Sequence, residues 1–382
     1  MWISFKTVDF FVFVFFQVNQ ICSFTFNDDE DLAEINATKR AILKSLGVRS
    51  ESRSKLWRND FFLRRYSAPK FMLKLFKEVN GEMSNHKQQT DFETKYLNDS
   101  SVDTVISFFK YDHDRSWKKN SRSDFRIKFK ARFDPRHEVI QGSELKVFKR
   151  LPRNGSMVHG KCSVCVYLIQ RQNSLSKMID TREVDAWKAG WQTFNVTAAM
   201  KLWAQYPLTN YGFEIVVHHN GQKLSPQAFG LVGTRGNLEK RPYLVGFVST
   251  TSDSPVFAPG LLVPSRQRRA AKMFKYGNNA EVCGLKKFTV NFKEVGLHRT
   301  IIAPNSYDMH FCHGHCLDPL DPNKTTNHAI VQSVYRAFDN TVDEPCCVPE
   351  ILKAVNLLFY DDDGNIVMKR HPNMVAASCV CN

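Results

Sequence analysis

The sequence predicts a mostly β protein in two parts: an α+β N-terminal part, and a small disulfide-dense C-terminal part of antiparallel strands with one helix. Three observations predict it. Seven of the ten cysteines (Cys283, Cys312, Cys316, Cys346, Cys347, Cys379 and Cys381) fall in the last 100 residues. Short blocks of strand-type alternation recur through both parts, whereas helical 3/4 spacing marks residues 30–80 and 326–339. Between the parts lies a Pro-containing stretch without helical period, residues 254–269.

Composition sets the outer limits. The 382 residues are 43% hydrophobic and 24% charged, with 18 Gly and 15 Pro, which excludes collagen-like and disordered classes and favours two or three domains. The only long apolar run, Phe10 to Phe16, is far below the roughly 20 residues that span a bilayer. No transmembrane helix and no membrane insertion are predicted. Lys6, the apolar run and the polar stretch that follows have the layout of a signal peptide over residues 1–23, so the chain is expected to be secreted. N-glycosylation sequons at Asn36, Asn98, Asn154, Asn195 and Asn323 agree with that.

Residues 30–80 place Ala33, Ile35, Ala41, Ile42, Leu43 and Leu46 on one helical face, then a basic loop, then a second short helix around Ala68 to Phe76. Residues 101–250 hold strand-like blocks at Val105–Lys110, Phe125–Phe129, Leu145–Phe148, Cys165–Ile169, Phe213–Val217 and Tyr243–Val248, which suit a β-sandwich. Cys162 and Cys165, a lone C-x-x-C without a second pair, are expected in a local or interchain disulfide. The stretch after residue 250 ends in Arg266-Gln267-Arg268-Arg269, whose clustered guanidinium groups suit the acidic subsites of a proprotein convertase. Cleavage is expected after Arg269.

Charge divides at the same point. The formal charge of +15 separates into +16 for residues 1–269 (42 basic, 26 acidic) and −1 for residues 270–382 (11 basic, 12 acidic). With no nucleic-acid-binding motif present, this basicity does not predict a nucleic-acid partner. No P-loop, dinucleotide fingerprint or hydrolase elbow is present either, so neither enzyme activity nor a cofactor is expected.

In the C-terminal part, Lys287–Phe292 and the pair Asn356–Tyr360 and Gly364–Met368 alternate as strands, the pair joined by a turn at Asp361–Gly364. Ile330, Val331, Val334, Tyr335 and Phe338 give a helix over 326–339, capped by Thr325 or Thr326. Cys312 and Cys316 are four apart and Cys379 and Cys381 two apart, so on strands each pair points to one side and two parallel bridges are feasible. Six paired cysteines still allow 15 connectivities, and spacing does not select among them. Adjacent Cys346 and Cys347 must diverge, and an odd seventh cysteine suits an interchain bond.

The string Cys283-x28-Cys312-His-Gly-His-Cys316-x29-Cys346-Cys347-Val-Pro-x29-Cys379-Val-Cys381, with Thr326-Asn-His-Ala-Ile-Val-Gln332 inside it, resembles the mature domain of the transforming growth factor beta superfamily, in its bone morphogenetic protein-like branch. The resemblance implies a cystine-knot growth factor domain over 270–382, with finger-like strands. It implies disulfides Cys283–Cys347, Cys312–Cys379 and Cys316–Cys381, and a dimer bond through Cys346 to a second copy, in a homodimer or a heterodimer. Residues 24–269 then resemble the prodomain: a helical straitjacket (30–80), a β-sandwich arm (101–250) and a linker (251–269). The implied partners are type I and type II serine/threonine-kinase receptors, the chain's own prodomain and a convertase, with Smad signalling downstream. Positions matching the receptor surfaces are Ala303, Asn356, Leu358 and Met368 for type II, and Pro319 and Leu320 for type I; the type II set is expected to be an exposed apolar patch.

The type I surface departs from the family pattern. The branch usually carries two Trp after a Val-Gly pair, yet Val295-Gly296 is followed here by Leu297 and, three residues later, Thr300. The large apolar residue usual just before Pro319 is Asp318. A divergent type I receptor, or reliance on avidity, is therefore expected. A secreted antagonist or structural knot protein that does not signal is the alternative. A lectin-like sandwich with a zinc module at His310–Cys316 stays open as a third reading.

Overall fold

The computed structural model describes residues 65–81, 99, 101–111, 125–151, 160–171, 174–250, 281–317 and 320–382. The expected signal peptide, first straitjacket helix, linker and tetrad Arg266–Arg269 lie outside these residues, as do Asn36, Asn98 and Asn154. No helix among the described residues is long and apolar enough to cross a membrane. The described residues form two compact units, one holding 65–250 with 358–369, the other 281–357 with 370–382.

The first unit is built on two antiparallel sheets. One has the order β1 (Thr104–Phe108), β9 (Tyr243–Thr250), β3 (Glu138–Lys149), β6 (Gly190–Asn195). The other has the order β2 (Arg126–Ile127), β7 (Phe213–His219), β4 (Lys161–Arg171), β5 (Ser174–Asp185), with β8 (Gln222–Leu224) on β7. Every residue of β1 is buried, Thr104 and Ser107 included, so it shows no alternation of buried and exposed positions. Phe108, Phe194 and Phe247 of the first sheet and Phe213 of the second are completely enclosed, and Trp203 lies 4.8 Å from Phe213 between ring centroids.

Helix α1 (Ser67–Val79) buries Ala68, Met72, Leu75 and Phe76, one apolar stripe at helical spacing. Phe71 meets Tyr243 of β9 at 5.5 Å, and the Ser67 hydroxyl donates to the Arg241 carbonyl at 2.7 Å. Strand β5 and helix α2 (Thr197–Gln205) were not among the expected elements. Strand β5 is an edge, most of whose described side chains are solvent-facing, so it carries no apolar alternation to read. Helix α2 is short and has no side-chain cap, although its buried Ala199, Met200, Trp203 and Ala204 keep the 3/4 spacing.

The second unit consists of short strand pairs, a helix and a long hairpin. Strand β10 (Gly284–Lys286) pairs with β14 (Phe311–His313), and β11 (Thr289–Asn291) with β13 (Ser306–Asp308). Strand β12 (Ile301–Ala303) lies beside β15 (Cys347–Tyr360), which pairs with β16 (Ile366–Cys381). Helix α3 (Asn327–Arg336) starts at Thr326, whose hydroxyl accepts the Ala329 N–H at 3.2 Å. It ends three residues before the expected Asp339.

The tip of the β15–β16 hairpin belongs to the first unit. Its strand Ile366–Lys369 adds to the free edge of β1 in antiparallel register, with Ile106 opposite Val367 and Val105 opposite Met368.

Candidate cystine knot and binding surfaces

Three disulfides tie the second unit together: Cys283–Cys347, Cys312–Cys379 and Cys316–Cys381, with Cα separations of 5.4, 5.7 and 5.8 Å. The last two link β14 and its continuation to the end of β16, closing a small ring of backbone. The sulfurs of Cys283, Cys316 and Cys381 lie within 4.8 Å of one another, so the third bridge sits at that ring. The backbone holds the crossing in register. Cys283 N–H donates to His315 C=O at 3.0 Å, and His315 N–H donates to Glu281 C=O at 2.8 Å.

Gly314 makes the crossing possible. At φ +112° it has a conformation that other residues rarely adopt, and a Cβ there would come within 2.5 Å of the Val282 carbonyl oxygen. The C-terminus closes the other side: Cys346 and Asn382 exchange two backbone hydrogen bonds of 2.8 and 2.9 Å. Cys346 itself is half-buried, one residue before the Cys347 that enters the knot. Cys312 and Cys316, which with His310, His313 and His315 made up the zinc alternative, are in disulfides and have no thiolate to offer a metal.

Two surfaces flank the knot. Helix α3 buries only Ala329 and Ser333, while Val331, Val334 and Tyr335 on its other face, and Phe338 just beyond its end, are 63, 58, 63 and 85% exposed. Its C-terminal turn is fixed by Arg336, which donates to Glu344 at 2.8 Å and to the Val342 carbonyl at 3.1 Å. On the strands, Ala303 and Asn356 are half-buried. Leu358 and Met368, expected to be exposed, are buried, and Met368 lies opposite Val105 where the hairpin tip joins the sheet of the first unit. Leu320 is half-buried, and Asp318 and Pro319 lie outside the described residues. Leu297 and Thr300, at the positions of the absent Trp pair, are each 2% exposed and turn inward. Asn195 and Asn323 are both exposed, and the Asn195 side-chain oxygen accepts from the Thr197 hydroxyl of its own sequon at 2.7 Å.

The local disulfide expected as one alternative for Cys162 and Cys165 is not formed within the chain. Both thiols are free and buried, at 1 and 6% exposure, on opposite faces of β4, since residues three apart on a strand diverge. Cys162 faces His219 at 3.3 Å, and Cys165 faces Thr181 at 3.3 Å on the other side. Burial raises the Cys162 thiol above its ordinary range, and nearby Lys149 opposes this only in part. A buried neutral thiol is a packing residue rather than a nucleophile.

The comparisons with known proteins cover both units. A family model described as TGF-beta propeptide matches residues 19–247, and one described as transforming growth factor beta like domain matches residues 282–381. The chain is 29% identical over 310 residues to the protein DVR-1 homolog of Strongylocentrotus purpuratus, covering 74% of this chain and 66% of that one. It is 29% identical over 331 residues to bone morphogenetic protein 4 of Gallus gallus, covering 82 and 80% of the two chains. Bone morphogenetic protein 8A of Homo sapiens is 27% identical over 339 residues, covering 83 and 82%.

Proposed function

The chain belongs to the transforming growth factor beta family, as a bone morphogenetic protein-like growth factor precursor, and from that premise we propose that a convertase cut after Arg269 frees a disulfide-linked dimer that brings type I and type II serine/threonine-kinase receptors together. Such proteins are signalling ligands without catalytic chemistry, so the work is done by surfaces. One observation carries the dimer. Helix α3 points Val331, Val334 and Tyr335 into solvent, at the i, i+3, i+4 spacing of a face that seeks a partner. A second copy of the knot domain would cover this face, and Cys346 would bond to its counterpart.

The N-terminal part is assigned a shielding role. Met368 lies opposite Val105 of β1, and Leu358 is enclosed, so half of the expected type II surface is covered in the uncut chain. Cleavage and separation would expose it and permit Smad signalling. The inward turn of Leu297 and Thr300 favours a second reading, a secreted antagonist that binds type II receptors but recruits type I receptors poorly.

Gels run with and without reductant on protein secreted from cultured cells test the architecture for wild type, Cys346→Ser and Arg269→Ala. A reducible dimer of the 270–382 fragment is expected from wild type, a monomer from Cys346→Ser and an uncut chain from Arg269→Ala. A wild-type chain that stays whole and monomeric would sink the proposal. A Smad reporter treated with purified mature dimer then separates agonist from antagonist.

A further inference from the structure

We propose that the acidic turn at the tip of the β15–β16 hairpin and the basic residues Lys110 and Arg132 form an ionic latch that holds the mature domain to its cut propeptide and tightens in mild acid. This rests on the precursor reading above and adds to it how the two fragments stay together and what loosens them.

The latch follows from strand direction. Strand β1 runs antiparallel to β16, with Ser107 opposite Ile366, so the chain leaving β1 arrives beside the turn that precedes Ile366. Lys110, three residues on, donates through Nζ to the Asp363 carbonyl. The Lys130 N–H donates to the Lys110 carbonyl at 2.9 Å, and Tyr111 bridges to Phe129, which fixes a second basic segment alongside. From that segment Arg132 reaches the Asp363 carboxylate at 3.8 Å. Two cations of the N-terminal part, Lys110 and Arg132, thus gather at a run of three carboxylates, Asp361 to Asp363. The Arg132–Asp363 pair is well exposed and contributes little once salt screens it.

Asp361 sits deeper. Its carboxylate accepts from the Asn365 backbone N–H at 2.7 Å and from the Asn365 side chain at 2.8 Å. Lys110 and Asp363 both face it, while Lys130 faces Lys110 and Asp362 points outward on the same turn. Burial, with a smaller push from Asp363, raises Asp361 to about 6, against the Asn365 hydrogen bonds and Lys110. Burial also lowers Lys110 below the ordinary lysine range, opposed by Asp361 and Asp363.

The sign follows from linkage. When the fragments part, Asp361 returns to water and toward the ordinary carboxylate value of about 3.9. The docked form therefore binds a proton more readily. Its added stability is present in mild acid and is lost as pH rises through about 6. Per site, the complex should be about fourfold tighter at pH 5.5 than at pH 7.5.

The test uses the full chain with residues 266–269 replaced by the site of an added sequence-specific protease, so that cutting does not depend on a convertase. After the cut, dissociation of the captured complex is followed at pH 7.5 and 5.5, in low and high salt. Wild type is expected to dissociate about fourfold more slowly at pH 5.5, and Asp361→Asn to show no such difference. Lys110→Gln, which leaves the mature domain untouched, should dissociate several-fold faster and lose part of its salt dependence; Lys223→Gln, a remote surface lysine, should behave as wild type. Equal pH dependence in wild type and Asp361→Asn, unchanged dissociation of Lys110→Gln, or fragments that separate at once on cutting would each overturn the latch. Failure of the unaltered chain to be cut in cells would instead count against the precursor reading, with the latch still scored in the protease-site chain.

Discussion

Gly314 lets the small disulfide ring close against the segment entering Cys283. Its Cβ-free backbone lies where a side chain would strike the Val282 carbonyl carbon at 2.6 Å and the Cys283 nitrogen at 2.8 Å, both backbone atoms that cannot swing aside. Gly314→Ala adds a strained φ to that clash and should cost more than about 2 kcal/mol. The expected outcome is loss of the correctly bridged product on non-reducing gels, with the uncut chain retained in cells. Leu297 is another single-residue matter. Its backbone N–H donates to the Phe292 carbonyl at 2.8 Å, and its side chain is buried. Asp318→Phe should raise affinity for at least one type I receptor ectodomain, measured by surface binding. Equal affinity of wild type and variant for every ectodomain would show that this position does not set recruitment.

At the scale of elements, α3 separates stability from assembly. The Thr326 cap is worth about 1 kcal/mol, so Thr326→Ala should lower the thermal midpoint slightly without altering dimer mass. Val331→Glu with Tyr335→Glu should do the reverse. Those side chains are mostly exposed, so the fold should persist while sedimentation shows the non-covalent association of the Cys346→Ser protein weakened at least tenfold. The helix was legible because its 3/4 stripe is complete. Strand β5 was not, because an edge strand is held by backbone hydrogen bonds to β4 that leave no mark on side-chain type.

Across the whole molecule the two units are held by different forces. Three intrachain bridges between described residues lie in the second unit, where short strand pairs enclose little apolar volume, whereas the first has an extended aromatic and aliphatic core with two free thiols. Each native bridge in so small a unit is worth roughly 2 to 5 kcal/mol. Thermal unfolding of the uncut chain should therefore show one transition that collapses in reductant and another that shifts little. A first unit that melts equally early in reductant would contradict this division.

The amino-acid sequence by itself determined the division into a basic N-terminal part and a cysteine-dense C-terminal part, several of the strands, the amphipathic helices α1 and α3 and the cysteine spacing that points to the family. These are properties of residue type and interval, and residue type reports burial and local geometry. Tertiary structure alone decided that Cys162 and Cys165 stay apart, since a spacing does not say which strand face a thiol meets. It also decided that Leu358 and Met368 are covered and that Asp361 meets Lys110, because β1 and the hairpin tip are some 250 residues apart in sequence, as in the separation of 253 between Lys110 and Asp363. An edge strand advertises open hydrogen-bonding groups, and only the folded chain chooses which distant edge satisfies them.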